Sequence, residues 1–133
     1  MLIDITIEVT PIMGEETFNR EKMAAFGHLG THFDGVDKTF PLEFLRRKAV
    51  VFDVEAASGR EIQADDFDIS LVEKDMFVTF RTGFIERTGY GSKEYFSDHP
   101  QLSDRLIDML LERHISIIGI DFAGVRRGAE HTP

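Results

Sequence analysis

Two histidines and an aspartate occur within seven residues of the chain, at positions 28, 32 and 34. In an extended strand, side chains at even spacing project to the same face, so His28, His32 and Asp34 would point the same way. On a helix the two histidines would also meet, because they are four residues apart, but Asp34 would lie away from His28. Gly30 and the β-branched Thr31 favour a strand or a loop. In each conformation we expect His28 and His32 to converge.

Imidazole and carboxylate groups at this spacing suit a divalent ion such as Zn²⁺, Mn²⁺ or Fe²⁺. The chain has no cysteine, so nitrogen and oxygen atoms must hold any metal. Two histidines and one aspartate leave a position open for water, and a catalytic metal lowers the pKa of that water to about 7. A metal-bound hydroxide would then be the nucleophile. The alternative is a pair of ordinary histidines, with Asp34 as the cap of a turn.

Other polar residues are weaker candidates. His131 follows a glycine-containing stretch and could supply a distant metal ligand. His99 stands beside a proline and reads most simply as a loop residue. Asp121 ends an apolar segment, where a carboxylate commonly caps a turn. The Arg126-Arg127 pair could bind a substrate carboxylate, although a solvated basic turn is the simpler interpretation.

Alternating hydrophobicity and helical periodicity predict an α/β protein that positions these groups. Apolar segments with β-branched residues predict four strands, at 2–9, 49–54, 76–81 and 115–122, the second of them central in the sheet. The strongest helix pattern covers 104–113, with Ser103 as its N-cap. Shorter helical segments are predicted at 18–25, 41–45, 65–67 and 92–96. Because that long helix separates two strands, we expect a crossover connection between them.

Bulk properties narrow the classes of function. A formal net charge of −9 and a pI near 4.9 argue against general binding to nucleic acid or anionic membranes. The 133 residues suit one domain. The N-terminal apolar pattern contains two acidic residues, unlike a secretory signal, and no apolar run approaches the ~20 residues of a membrane span. We therefore expect a cytoplasmic protein that acts on a small-molecule substrate.

Four ordered blocks of residues resemble one protein family. The segment 28–34 resembles the H-x-G-T-H-x-D core of the cyclase and kynurenine formamidase family, metal-dependent hydrolases that open amide or lactam bonds. The other similar blocks are Arg-Thr-Gly at 81–83, the segment 95–103 with its His-Pro, and Gly-Ile-Asp at 119–121. The resemblance implies a swivelling β/β/α domain over residues 1–133 that assembles as a homo-oligomer.

The resemblance also implies roles for single residues. His28, His32 and Asp34 would be metal ligands, with Asp34 able to bridge two ions, and His131 lies near the place of a later family histidine. The family motif continues to a histidine that acts as general acid/base, and Lys38 occupies that position here. The family also places a glutamate ligand after that later histidine. No glutamate follows His131 in this sequence, so we expect a domain that lacks the C-terminal strands of the fold.

The leading interpretation is a metal-dependent hydrolase of a small cyclic or N-acyl amide, with Zn²⁺ or Mn²⁺ as cofactor. It would break non-peptide C–N bonds, and Lys38 would take part in catalysis. A second interpretation is a catalytically inactive member of the same fold that binds a metal or a small ligand. A third is a purely structural subunit of a larger oligomer.

Overall fold

A computed structural model describes residues 4–20, 22, 24, 27–33, 39–57 and 59–127 of the chain. The helices are α1 (Pro11–Arg20), α2 (Phe84–Thr88), α3 (Lys93–Ser97) and α4 (Asp104–Glu112), and the strands are β1 (Ala49–Asp53), β2 (Phe77–Arg81) and β3 (Ile117–Ile120). Turns of 3₁₀-helix cover Leu42–Leu45, Glu55–Ala57, Ala64–Asp66 and Ile69–Leu71. The predicted helical segments at 41–45, 65–67 and 92–96 are thus confirmed to within one or two residues.

The three described strands form one parallel sheet in the order β1-β2-β3. Ala49 pairs with Phe77, which in turn pairs with Ile117. Helix α4 connects β2 to β3, as the predicted crossover requires, and the α/β fold class is confirmed. The central position predicted for 49–54 is wrong within this sheet. Strand β1 lies at an edge, and its Val51 is 63% exposed, while β2 occupies the centre.

The predicted strand at 2–9 is also wrong where the structure describes it, because residues 4–10 have no regular secondary structure. Their backbone bonds to a side chain instead of a neighbouring strand. The Ile7 amide donates to Thr31 Oγ1 at 2.9 Å, and that hydroxyl donates to the Ile5 carbonyl at 3.3 Å. Helix α1 then begins at Pro11, whose fixed φ suits a first helical position, so the helix predicted at 18–25 starts earlier and ends at Arg20.

The hydrophobic core lies between the sheet and α4. Phe52, Val78 and Phe80 are buried on the sheet, and Leu106 and Leu110 are completely buried on the helix. The Ser103 hydroxyl accepts a hydrogen bond from the Leu106 amide at 3.2 Å, so the predicted N-cap of α4 is confirmed. Within the described ranges, no helix has the length and apolar character needed to cross a bilayer.

Candidate functional site

The two motif histidines lie against each other. Their ring centroids are 5.0 Å apart, and the ring planes make an angle of 38°. His28 is partly buried and His32 is exposed. Two imidazoles that bind one tetrahedral ion, with metal–nitrogen bonds of about 2.0–2.1 Å, have ring centroids roughly 5 Å apart. The spacing of this pair therefore fits a shared metal ion.

The orientation of the His32 ring fits a ligand role as well. Its Nδ1 lies 2.9 Å from the Gly30 carbonyl oxygen. A carbonyl can only accept, so Nδ1 carries the proton and Nε2 keeps its lone pair. Histidines that bind metals commonly donate the other ring N–H to a backbone carbonyl, which fixes both tautomer and orientation. The motif thus presents His32 Nε2 as an available ligand atom.

The Gly-Thr pair between the histidines anchors the motif as a loop; no strand is present at 28–33. Gly30 has φ +68°, and a Cβ there would lie 3.0 Å from Val9 Cγ2. The Gly30 amide donates to the Tyr90 hydroxyl at 2.5 Å, and Thr31 bonds the segment that precedes α1. The glycine is required by both its left-handed backbone and its close contact with Val9. The loop is held from two sides.

The remaining predicted site residues, Asp34, Lys38 and His131, lie outside the described residues. Among the residues that are described, no group of three or more histidine, cysteine, aspartate or glutamate side chains could hold a metal. The structure brings His28 and His32 together and leaves the other ligands as predictions.

Asp121 joins two of the blocks that carried the resemblance. Its carboxylate accepts hydrogen bonds from the Thr82 amide at 2.9 Å, the Thr82 hydroxyl at 2.6 Å and the Gly83 amide at 2.7 Å. These contacts hold the end of β3 against the Arg-Thr-Gly turn that follows β2. The turn-capping interpretation of Asp121 is confirmed.

The two arginines of the predicted basic turn have different surroundings. Arg126 pairs with Glu61 at 2.5 Å and Asp104 at 3.3 Å, and it donates to the Leu102 carbonyl. Arg127 is exposed, and its guanidinium donates a 3.5 Å hydrogen bond to the Ser97 carbonyl. Arg126 therefore ties the chain together, while Arg127 retains donors for another partner.

His99 lies in the loop between α3 and α4, as the sequence predicts, but it is buried there, with only 5% of its surface exposed. Its ring stacks on Phe122 with centroids 5.9 Å apart, and its Nδ1 lies 2.6 Å from the Pro100 carbonyl oxygen. Burial lowers the pKa of this imidazole, an effect that the charge of Arg127 reinforces and the Pro100 hydrogen bond opposes. The His-Pro dipeptide in the third block was the available sequence signal, but it does not reveal burial.

One of three comparisons with known proteins found a match. A family model with the description "Putative cyclase" matches residues 3–126. The chain therefore belongs to this cyclase family. Searches of curated proteins and of solved structures gave no significant match.

Proposed function

We propose that the chain is a metal-dependent hydrolase that opens a small cyclic or N-acyl amide. The observation that carries the proposal is the His28–His32 pair, whose rings are spaced for one ion and whose His32 Nε2 is left free to coordinate. Membership of the cyclase family supports the same reaction class. Imidazole nitrogens suit Zn²⁺, and a carboxylate ligand such as Asp34 would suit Mn²⁺.

His28 and His32 would hold the metal together with Asp34 and His131. A bound divalent ion supplies a Lewis acid for the amide carbonyl and lowers the pKa of a coordinated water. Lys38 stands at the position of the family's general acid/base, and its ammonium would donate a proton to the leaving nitrogen. The chain would act in the cytoplasm, as a homo-oligomer.

A second candidate is an inactive member of the family that binds a metal or small ligand without turnover. Lys38 is the observation that favours it, since a protonated ammonium has no lone pair with which to act as a base. The active hydrolase and the inactive member would share the metal site, but only the hydrolase would turn over a substrate. Metal binding and hydrolysis must therefore be measured separately.

The test compares the 133-residue chain with a His28→Ala, His32→Ala double variant. The control is His114→Asn, which removes an exposed imidazole and keeps a residue that tolerates the φ of +53° at that position. We expect wild type and control to bind Zn²⁺ or Mn²⁺ with near-unit stoichiometry, and the double variant to lose binding.

Hydrolysis is then measured with a panel of formamides, lactams and N-acyl amides. Metal-dependent turnover in wild type and control, absent from the double variant, supports the enzyme. Metal binding without turnover in the wild type selects the inactive binding member. Equal metal binding by all three proteins rejects both candidates.

A further inference from the structure

The buried His99 lines a cavity at the protein surface. It has a volume of about 440 Å³ and is bounded by the segment 98–101 together with Arg60, Phe84 and Arg127. Small-molecule sites in proteins commonly measure about 300–1,000 Å³ and combine apolar walls with a few polar groups. Nothing in the proposed hydrolase site uses these residues.

His99 lines this cavity, and Nε2 is the atom of its ring that can accept a hydrogen bond. Its Nδ1 carries the proton because it bonds the Pro100 carbonyl, so a neutral ring has its lone pair on Nε2. Burial lowers the pKa of the imidazole and thus favours the neutral form. No hydrogen bond to Nε2 is made by the residues that the structure describes. A ligand partner at this atom must therefore donate an O–H or N–H.

Most charges around the cavity are already neutralised. Arg60 forms a two-point ion pair with Asp66, and Glu61 pairs with Arg126. In the described part of the chain, no carboxylate lies within ion-pair distance of Arg127. Its guanidinium is therefore the cation available to an anionic ligand, and a planar carboxylate matches the geometry of its donors.

We propose that the His99 cavity binds a small carboxylate that also carries a hydroxyl or amine donor. Arg127 binds the carboxylate, and His99 Nε2 accepts from the hydroxyl or amine. Phe84 and Pro100 supply the apolar wall. Asp98, which also lines the cavity, accepts a hydrogen bond from the Ser97 hydroxyl at 2.8 Å, and its negative charge disfavours ligands that carry more than one negative charge.

The test is a titration of the metal-free chain with glycolate, monitored by the ¹⁵N resonance of His99 Nε2. Glycolate is expected to shift this resonance, because the lone pair becomes a hydrogen-bond acceptor. We expect acetate, which lacks the donor, and glycolamide, which lacks the charge, each to bind at least about 10-fold more weakly, the equivalent of about 1.4 kcal/mol.

Variants test the role of the guanidinium. Arg127→Gln is expected to weaken glycolate binding at least about 10-fold, whereas Arg105→Gln, an exposed arginine on α4, keeps the wild-type affinity. An unmoved His99 resonance, equal binding of acetate and glycolate, or equal affinity of the two arginine variants overturns the proposal. Tighter binding of inorganic phosphate than of glycolate overturns the carboxylate class. Because metal is absent throughout, the outcome is independent of the proposed hydrolase function.

Discussion

The Tyr90 hydroxyl and the Gly30 amide are joined by a hydrogen bond of 2.5 Å across sixty residues of sequence. Gly30 lies between the two motif histidines, and its carbonyl orients the His32 ring. Tyr90 is buried against Tyr95, with ring centroids 5.3 Å apart. The loop that carries the proposed metal ligands is thereby attached to the aromatic cluster that packs around α2 and α3. We conclude that Tyr90 positions this loop through the Gly30 amide.

Tyr90→Phe is therefore expected to weaken metal binding by about 10-fold, the lower range for losing an outer hydrogen-bond partner. The free energy of unfolding of the metal-free chain should fall by about 1 kcal/mol, because one amide loses its acceptor. Titration calorimetry with Zn²⁺ and urea unfolding with a chelator separate the two effects. Tyr95→Phe is the matched control, since it removes a hydroxyl from the same cluster but no contact to the loop. Equal metal affinity of the two variants would reject the positioning role.

Replacement of the Asp121 carboxylate should weaken the junction between β2 and β3. Asp121→Asn replaces one accepting oxygen with a donor that faces the Thr82 and Gly83 amides. Hydrogen bonds to a charged group are worth about 1.5–3 kcal/mol, so we expect a loss of about 2 kcal/mol in unfolding free energy. Urea unfolding measures it. Asp108→Asn makes the same chemical change at an exposed position of α4 and should have an effect within about 0.5 kcal/mol. Similar losses of unfolding free energy in both variants would show that the Asp121 hydrogen bonds do not stabilise the junction.

Opposite effects are expected for two glycine-to-alanine changes. A Cβ at Gly119 would lie 2.6 Å from the Phe77 ring and 2.7 Å from Thr79 Oγ1, so Gly119→Ala forces the centre of the sheet to shift. Overpacking of this kind costs about 1–3 kcal/mol. A Cβ at Gly14 in α1 would meet Val9 Cγ1 at an ordinary 3.9 Å, and Gly14→Ala should add up to about 1 kcal/mol through helix propensity. Thermal unfolding of both variants measures the difference. A neutral Gly119→Ala would mean that the Phe77 ring moves freely.

Local patterns predicted the elements that carry their own signals, and long-range contacts explain the errors. The 76–81 strand and the 104–113 helix were found to within one residue, because apolar β-branched residues and a serine N-cap act within the segment. The alternation at 2–9 looked like a strand, but it could not reveal that the hydroxyl of Thr31 takes the place of a pairing strand.

In the candidate site, too, local sequence predicted some features, and contacts between distant residues determined the others. The spacing of His28 and His32 predicted that they converge, because the three residues between them limit where the second ring can lie. The burial of His99 could not be predicted from its own neighbours, since it depends on the ring of Phe122, which enters the core at the end of the last described strand. Likewise, nothing near Tyr90 in the sequence indicates that its hydroxyl bonds the loop between the two motif histidines.

Burial of His99 should make the stability of the chain depend on pH. The folded chain holds this imidazole with a pKa below its ordinary value of about 6.5, whereas the unfolded chain takes up a proton near that value. Below about pH 6.5 the unfolded state therefore binds more protons than the folded state. The free energy of unfolding decreases as the pH is lowered, until the pH drops below the pKa of His99 in the folded chain. Above about pH 6.5 this contribution is complete and constant.

The neighbouring charges set the size of the effect, since Arg127 opposes protonation of His99 and Asp98 favours it. Urea unfolding between about pH 7.5 and pH 5, with a chelator present, should give a shallower slope for His99→Gln than for the wild type, even if the variant is less stable overall. Arg127→Gln should also flatten the slope, because one charge that opposes the imidazolium is gone. His114→Asn removes an exposed histidine and should retain the wild-type slope. If His99→Gln and His114→Asn change the slope equally, the dependence does not arise from the buried ring.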